Sequence, residues 1–322
     1  MRPGRRTEAM DRRARATRFL ISAALALLTA AAQPQLPIRE SRWLQTNDLV
    51  GDLTRQPPEC IAWPTDPALR RSAEIGRVAF RAPLILGGQA ARAGLSCSSC
   101  HRNGRTNPHF HFPGISGDPG TADVTASIMS EHRGDGIFNP KPIPDLAGDP
   151  ARLKISRDPG KSDLRNFIHG LVTQEFDGPE PPPAVLDGLA NYVRSLSPAA
   201  CKSHGPGPIE LEGKLEDVDA AVRLASETLA EGDQATARVM IAAARSMLGA
   251  IDERFQVSGD EASRELLHQA AADLASIELA DRPTASMFES WQRSWPARKR
   301  QLRSAEARSL FNPAVVRRLA GS

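Results

Sequence analysis

Proline most limits what this chain can fold into, because it removes a backbone donor and fixes φ, confining regular helix to the intervals between prolines. The chain holds 26 of them, unevenly spread. From 41 to 202 they include Pro57, Pro58, Pro64, Pro67, Pro83, Pro108, Pro113, Pro119, Pro140, Pro142, Pro144, Pro150, Pro159, Pro179 and Pro181 to Pro183. The intervals predict helices over about 67–80, a turn at 96–101, a piece near 161–172 and a helix from Pro183 to Leu196. In the last, Val185, Leu189, Tyr192, Val193 and Leu196 recur at helical spacing behind a proline suited to a helix start. His204-Gly205-Pro206-Gly207-Pro208 then reads as a linker.

Beyond it the texture changes. Residues 210–322 are rich in alanine and poor in proline, with one apolar stripe at Leu215, Val218, Val222, Ala225 and Leu229. Met240, Ala244, Met247, Ile251 and Phe255 make a second stripe, and Leu267, Ala270, Leu274 and Ile277 a third. Ser258 to Glu261 resembles a capping box opening the third helix, and Met287, Phe288, Trp291 and Trp295 start a fourth that Pro296 should bend or end. Short connections predict an antiparallel α-helical bundle. Only 5% of the 322 residues are aromatic, with Tyr192 the single tyrosine, which argues against an aromatic-rich β-sandwich. The expected class is mostly α, in two domains.

The formal charge of +3 invites a nucleic-acid reading that its distribution removes. Seven arginines lie in residues 1–32 against Glu8 and Asp11, leaving the remainder slightly acidic. The basic stretch runs into the apolar segment Phe19 to Ala32, closing on Ala30-Ala31-Ala32. Basic, apolar and small residues in that order make a secretory signal peptide. About 14 apolar residues fall short of the roughly 20 that span a bilayer, although an uncleaved signal anchor is the alternative. Either reading takes the chain to the periplasm or otherwise out of the cytoplasm, with no integral span once the signal is cleaved. There cysteines can oxidise.

The four cysteines are Cys60, Cys97, Cys100 and Cys201, and the middle pair reads Cys97-Ser98-Ser99-Cys100-His101. This is the C-x-x-C-H attachment site of a c-type haem. Two thiols on one helical turn can each form a thioether to a haem vinyl, and the adjacent His101 then lies under the iron as proximal ligand. A redox pair or half a zinc site would leave the histidine unexplained, and no second CxxC exists. One covalent haem c is therefore expected. The leftover Cys60 and Cys201 bracket the motif; the readings are one disulfide, or two buried free thiols. Arg102 and Arg105 are candidates for haem propionates. His109-Phe110-His111-Phe112 reads as a loop packing its phenylalanines on the porphyrin, or as a surface metal site.

Ile75-Gly76-Arg77-Val78-Ala79-Phe80, Gly94-Leu95-Ser96 before the motif and Leu189-Ala190-Asn191-Tyr192-Val193-Arg194-Ser195-Leu196 together resemble the cytochrome c fold. The Leu-Ser-Cys run, the loop Asn139 to Leu146 and the turn Phe176-Asp177-Gly178 make residues 70–200 most similar to one haem domain of the bacterial di-haem cytochrome c peroxidase family. The resemblance implies that Cys97 and Cys100 hold haem, that His101 is proximal, and that the 183–196 helix packs across the 67–80 helix. Family members carry two CxxCH motifs; this chain has one, and it lacks the arginine that often follows the Phe-Asp-Gly turn.

The sixth iron position decides the chemistry: methionine or histidine closes it for electron transfer, and an open position admits peroxide. His169 and Met129 are the candidate distal ligands. The expected organisation is a signal peptide at 1–32, an extension at 33–66, a cytochrome c-like haem domain at 67–204 and a helical bundle at 210–322. The expected function is one-electron transfer with a redox partner protein in the periplasm. The alternatives are a peroxidase-like haem enzyme, or a haem-bearing sensor or assembly subunit whose bundle docks a protein partner. Nucleic acid is not an expected partner.

Overall fold

Capping fixes where the helices begin. Asp48 accepts from the Gly51 amide at 2.8 Å to open α1 (Leu49–Thr54). Asp66 accepts from the Leu69 amide at 2.8 Å to open α2 (Pro67–Ala79), where Pro67 takes the first position and its missing N–H costs nothing. Next come α3 (Gly88–Ala93), α4 (Cys97–Cys100), α5 (Asp163–Gly170) and α6 (Pro183–Ser195). Helices thus fill the intervals expected between prolines. α5 runs on into a single π turn, Leu171–Glu175, a distortion often found at functional positions.

The computed structural model describes residues 36–125, 128–158, 160–161, 163–201, 205–257 and 259–321. The segment 1–32 read as a signal peptide, His204 of the stretch read as a linker and Ser258 of the expected capping box lie outside them. Eleven α-helices and three two-stranded ladders among the described residues make the protein mostly α. No helix there is long and apolar enough to cross a membrane.

After residue 210 follow α7 (Leu211–Ala230), α8 (Gln234–Arg254), α9 (Glu261–Glu278), α10 (Ala285–Ala305) and α11 (Pro313–Leu319). α7 packs on α8, α8 on α9, α9 on α10, and α10 returns to α7. Of the two outcomes expected at Pro296, a bend or an end, the second does not occur: α10 continues through it, and tertiary contacts hold the helix on both sides. Trp291 Nε1 donates to the Ala270 carbonyl at 3.0 Å and Trp295 Nε1 to Asp219 at 2.7 Å, while beyond the proline Arg298 reaches Asp273 at 2.7 Å.

α2 and α6 cross at two glycines. A Cβ on Gly76 would lie 1.9 Å from the Gly188 carbonyl oxygen, so the backbones touch where any side chain would part them. Tyr192 of α6 packs its ring 5.1 Å from Phe80. One cluster of buried residues then continues from Ile75 and Tyr192 through α7 and α8 to Phe311. The stretch read as a linker is tied down, Gly207 and Pro208 pairing antiparallel with Gln56 and Arg55. Leu36, Ile38 and Leu53 share a second buried cluster with Leu310, Val315 and Val316. Cys60 and Cys201 form a disulfide across a separation of 141 residues, worth roughly 5 kcal/mol of unfolded-state entropy on the loop-closure model.

An ionic network sits where α2, α6 and α7 meet. Glu59 takes Arg77 at 2.8 Å, Arg81 at 2.7 Å and the Tyr192 hydroxyl at 2.7 Å, and Arg77 also reaches Asp217 at 2.7 Å. Burial by itself would raise the Glu59 pKa, but Arg81 and Arg77 outweigh it and hold the group at about 2, below the ordinary 4.5. A carboxylate depressed in the folded state stabilises above its unfolded pKa, and that stability is lost as pH falls through the folded value. The urea midpoint should therefore fall between about pH 4.5 and 2 more steeply in the parent than in Glu59→Gln. At pH 7 the variant should be weaker by about 2–3 kcal/mol, since it leaves Arg77 and Arg81 with Asp217 as their one shared carboxylate. Equal pH slopes in the two proteins would refute this assignment.

Candidate cofactor site

The Cys97–Cys100 turn is locked before any cofactor is considered. Ser96 and Ser99 form a reciprocal capping box, with the Ser96 amide donating to Ser99 Oγ at 3.0 Å. The Ser98 amide donates to the Phe80 carbonyl at 3.1 Å, and Asn107 Nδ2 donates to the Ser99 carbonyl at 2.9 Å. α2 and the loop after the motif thus hold the turn from both sides.

His101 starts a hairpin in which it pairs with Thr106, and Arg102 with Arg105. The two-residue loop is Asn103-Gly104, with φ of 51° and 76°, the left-handed pair that such tight hairpins require. Any Cβ on Gly104 would also meet Leu196 Cδ1 at 2.5 Å. The hairpin in turn seats the 141–147 loop. Thr106 Oγ1 donates to the Ile143 carbonyl at 3.0 Å, Ala147 N to the Gly104 carbonyl at 3.2 Å, and Arg105 grips both Asp145 oxygens at 2.8 Å.

That seating puts the Pro144 carbonyl 3.0 Å from His101 Nδ1. A carbonyl can only accept, so Nδ1 carries the proton and Nε2 keeps its lone pair. Burial lowers the His101 pKa to about 4, against the Pro144 carbonyl and Asp145, so the ring is neutral at pH 7. A neutral imidazole with one nitrogen oriented and the other bare is a prepared metal ligand.

Cys97 and Cys100 are both free thiols. Burial pushes Cys97 up to about 11 and Cys100 up to about 12, the reverse of the lowered values that make CxxC pairs redox-active. Among the described residues no further Cys, His, Asp or Glu joins them in a metal-holding group, so a zinc cage has no ligands to complete it. The two thiols instead face different apolar neighbourhoods. Cys97 packs on the main core together with Leu146, Ile155 and Ile168, whereas Cys100 packs with Phe176 on a cluster of Leu86, Phe110, Ile115, Met129 and Ile143. The donor set and apolar surroundings fit a tethered haem: two thiols for thioethers, one preoriented imidazole and apolar side chains about both thiols.

The two distal candidates part here. Met129 is 1% exposed, within the cluster against which Cys100 packs. His169 turns elsewhere, its Nε2 held by the Glu180 carboxylate at 2.8 and 3.0 Å and its side chain partly exposed. Arg102 and Arg105 are engaged inside the chain, Arg102 by Glu40 at 3.2 Å and by the Asp52 carbonyl at 2.9 Å. His109 pairs with Asp52 at 2.7 Å, Phe110 is buried, and Phe112 stacks 4.6 Å from Trp43.

Sequence reasoning missed the Pro144 carbonyl and the hairpin that delivers it. Asn103-Gly104 directly after the motif was the available signal; no side-chain pattern marks a backbone acceptor 43 residues away. Comparison with known proteins finds no matching family model, no similar curated protein and no similar solved structure.

Proposed function

We propose that the chain is an exported single-haem c-type cytochrome carrying one electron at a time. Its 67–204 region is read as a cytochrome c-like domain resembling one half of the di-haem cytochrome c peroxidases, and α7 to α10 as an antiparallel bundle. The observation that carries this reading is the His101 Nδ1–Pro144 carbonyl contact beside two unjoined thiols. Covalent haem would supply an iron that changes oxidation state by one electron. Cys97 and Cys100 would hold it, and His101 would ligate through Nε2. Ile143, Leu146, Ile168 and Phe176 would keep water out, which favours a small reorganisation on electron exchange. Met129 is the distal ligand in this reading, a thioether donor that raises the potential. The 1–32 segment would direct the chain to the periplasm, where a redox protein is the partner.

The test is a visible and resonance Raman spectrum of purified protein with its variants. Low-spin haem is expected in both oxidation states, with Met129→Ala turning high-spin and His169→Ala unchanged. No covalent haem, or a high-spin ferric parent reacting rapidly with peroxide, would overturn the carrier reading.

One observation favours the peroxidase alternative. Glu175 is buried at 6% exposure, Arg133 reaches one of its oxygens at 2.8 Å, and the other oxygen is buried without a partner. It stands beside Phe176, in the π turn, and such a carboxylate suits acid/base assistance of peroxide cleavage. The same spectrum decides between the two.

A further inference from the structure

Behind the attachment turn, on the side lined by Ser98 and Ser99, lies a cavity of about 490 Å³. The N-terminal segment and α8 close it, and Cys97, Cys100 and His101 take no part in its wall. Its volume lies in the range of small-molecule sites.

The wall carries six basic side chains against three acidic ones. Four of the six are paired: Arg39 with Glu253, Arg81 with Glu59, Arg102 with Glu40 and Arg245 with Glu278. Two are not. Arg254 is buried and donates only to the Leu53 and Leu310 carbonyls, at 2.9 and 3.1 Å, with its guanidinium 5.0 Å over the Phe311 ring. Lys214 has no hydrogen bond and no carboxylate within ion-pair distance among the described residues. Burial lowers its pKa to about 8, which still leaves the ammonium charged at pH 7.

The donors left without an acceptor tell the same story. Trp43 Nε1 and Arg245 Nε are buried without an acceptor, and both residues line this cavity. None of the buried acceptors left without a partner, such as those of Glu175 and Asp260, belongs to this wall. Every unsatisfied group here is therefore a donor, and the surplus charge is positive. Buried polar groups are normally paired, so the missing component is an acceptor that carries negative charge.

We propose that this cavity binds a small organic oxyanion, a carboxylate or a phosphate, held by Lys214, Trp43 and Arg245. Leu84 and Met247, also in the wall, would cover its apolar body. The site does not depend on the haem reading, since none of the attachment residues lines it.

Thermal unfolding of the full chain, titrated with inorganic phosphate or with succinate at ionic strength held constant by sodium chloride, tests the site. A saturable rise in Tm is expected with at least one probe, because a ligand bound only by the folded state stabilises it. Phosphate alone responding would name a phosphoryl ligand, succinate alone a carboxylate, and both a site that reads the shared oxygens. Lys214→Gln should weaken the effective probe about tenfold or more by removing a charge-assisted hydrogen bond, whereas Lys161→Gln, at an exposed position, should not. Trp43→Phe replaces the indole with a phenyl ring that can still lie beside Phe112 and removes the N–H, so it carries the same test should Lys214→Gln fail to fold. No saturable shift with either probe, or a shift undiminished in both Lys214→Gln and Trp43→Phe, would overturn the proposal.

Discussion

Replacing Cys97 and Cys100 together with alanine is expected to abolish haem that survives denaturing electrophoresis. The argument rests on position rather than on the motif alone. The turn is fixed by its own capping box and by Phe80 and Asn107, so the two thiols are presented at a set spacing whether or not anything is bound. Neither lies in the Cys60–Cys201 disulfide. The double variant should therefore fold with that bridge intact and lose only the tether. Each single variant should keep one thioether and stain more weakly. His101→Ala should keep both thioethers but lose the proximal nitrogen, moving the spectrum rather than the stain. Haem staining of the double variant equal to that of the parent would refute the attachment site.

The second large effect is expected at the helix crossing. In Gly76→Ala the new Cβ would sit 1.9 Å from the Gly188 carbonyl oxygen, 2.1 Å from its carbon and 2.6 Å from the Leu189 amide nitrogen. All three are backbone atoms, so no side chain can swing aside and α2 and α6 must separate. Alanine gains about 1 kcal/mol over glycine in helix propensity, but prying apart two helices whose backbones touch should cost about 4 kcal/mol or more, in the range of severe core disruptions. The clash wins. For a chain of this size that corresponds to a Tm lower by roughly 8–16 °C. Gly213→Ala in α7 is the control: it is exposed with nothing within 4 Å of the added Cβ, and it should be neutral or slightly stabilising. A Gly76→Ala protein as stable as the parent would show that the crossing tolerates separation.

These expectations draw on different amounts of sequence information. Pro67 and Pro183 announced the starts of the helices that carry Phe80 and Tyr192, because a proline at the first helical position is a local rule. Cys97, Cys100 and His101 stood out as candidates for the same reason, since the expected attachment puts two thiols on one turn with the histidine next along. Pro296 did not end its helix, a local penalty being outweighed by Trp291 and Trp295 bonding to neighbouring helices. His169 and Met129 could not be separated by spacing, as that choice depends on which side chain Glu180 removes and which the apolar cluster encloses.

The anion cavity was invisible for a further reason. Trp43 stands far from Lys214 and Arg245 in the chain, those two lie on different helices, and no pattern links the three. An unpaired donor exists only relative to the acceptors that folding brings, or fails to bring, within reach. What the sequence by itself determined is local: where helices can start, which turn carries the thiols, and that the chain is mostly α. What tertiary structure decided is every pairing across distance. The Pro144 carbonyl on His101, the enclosure of Met129 and the donors left without partners all depend on the meeting of segments far apart in the chain.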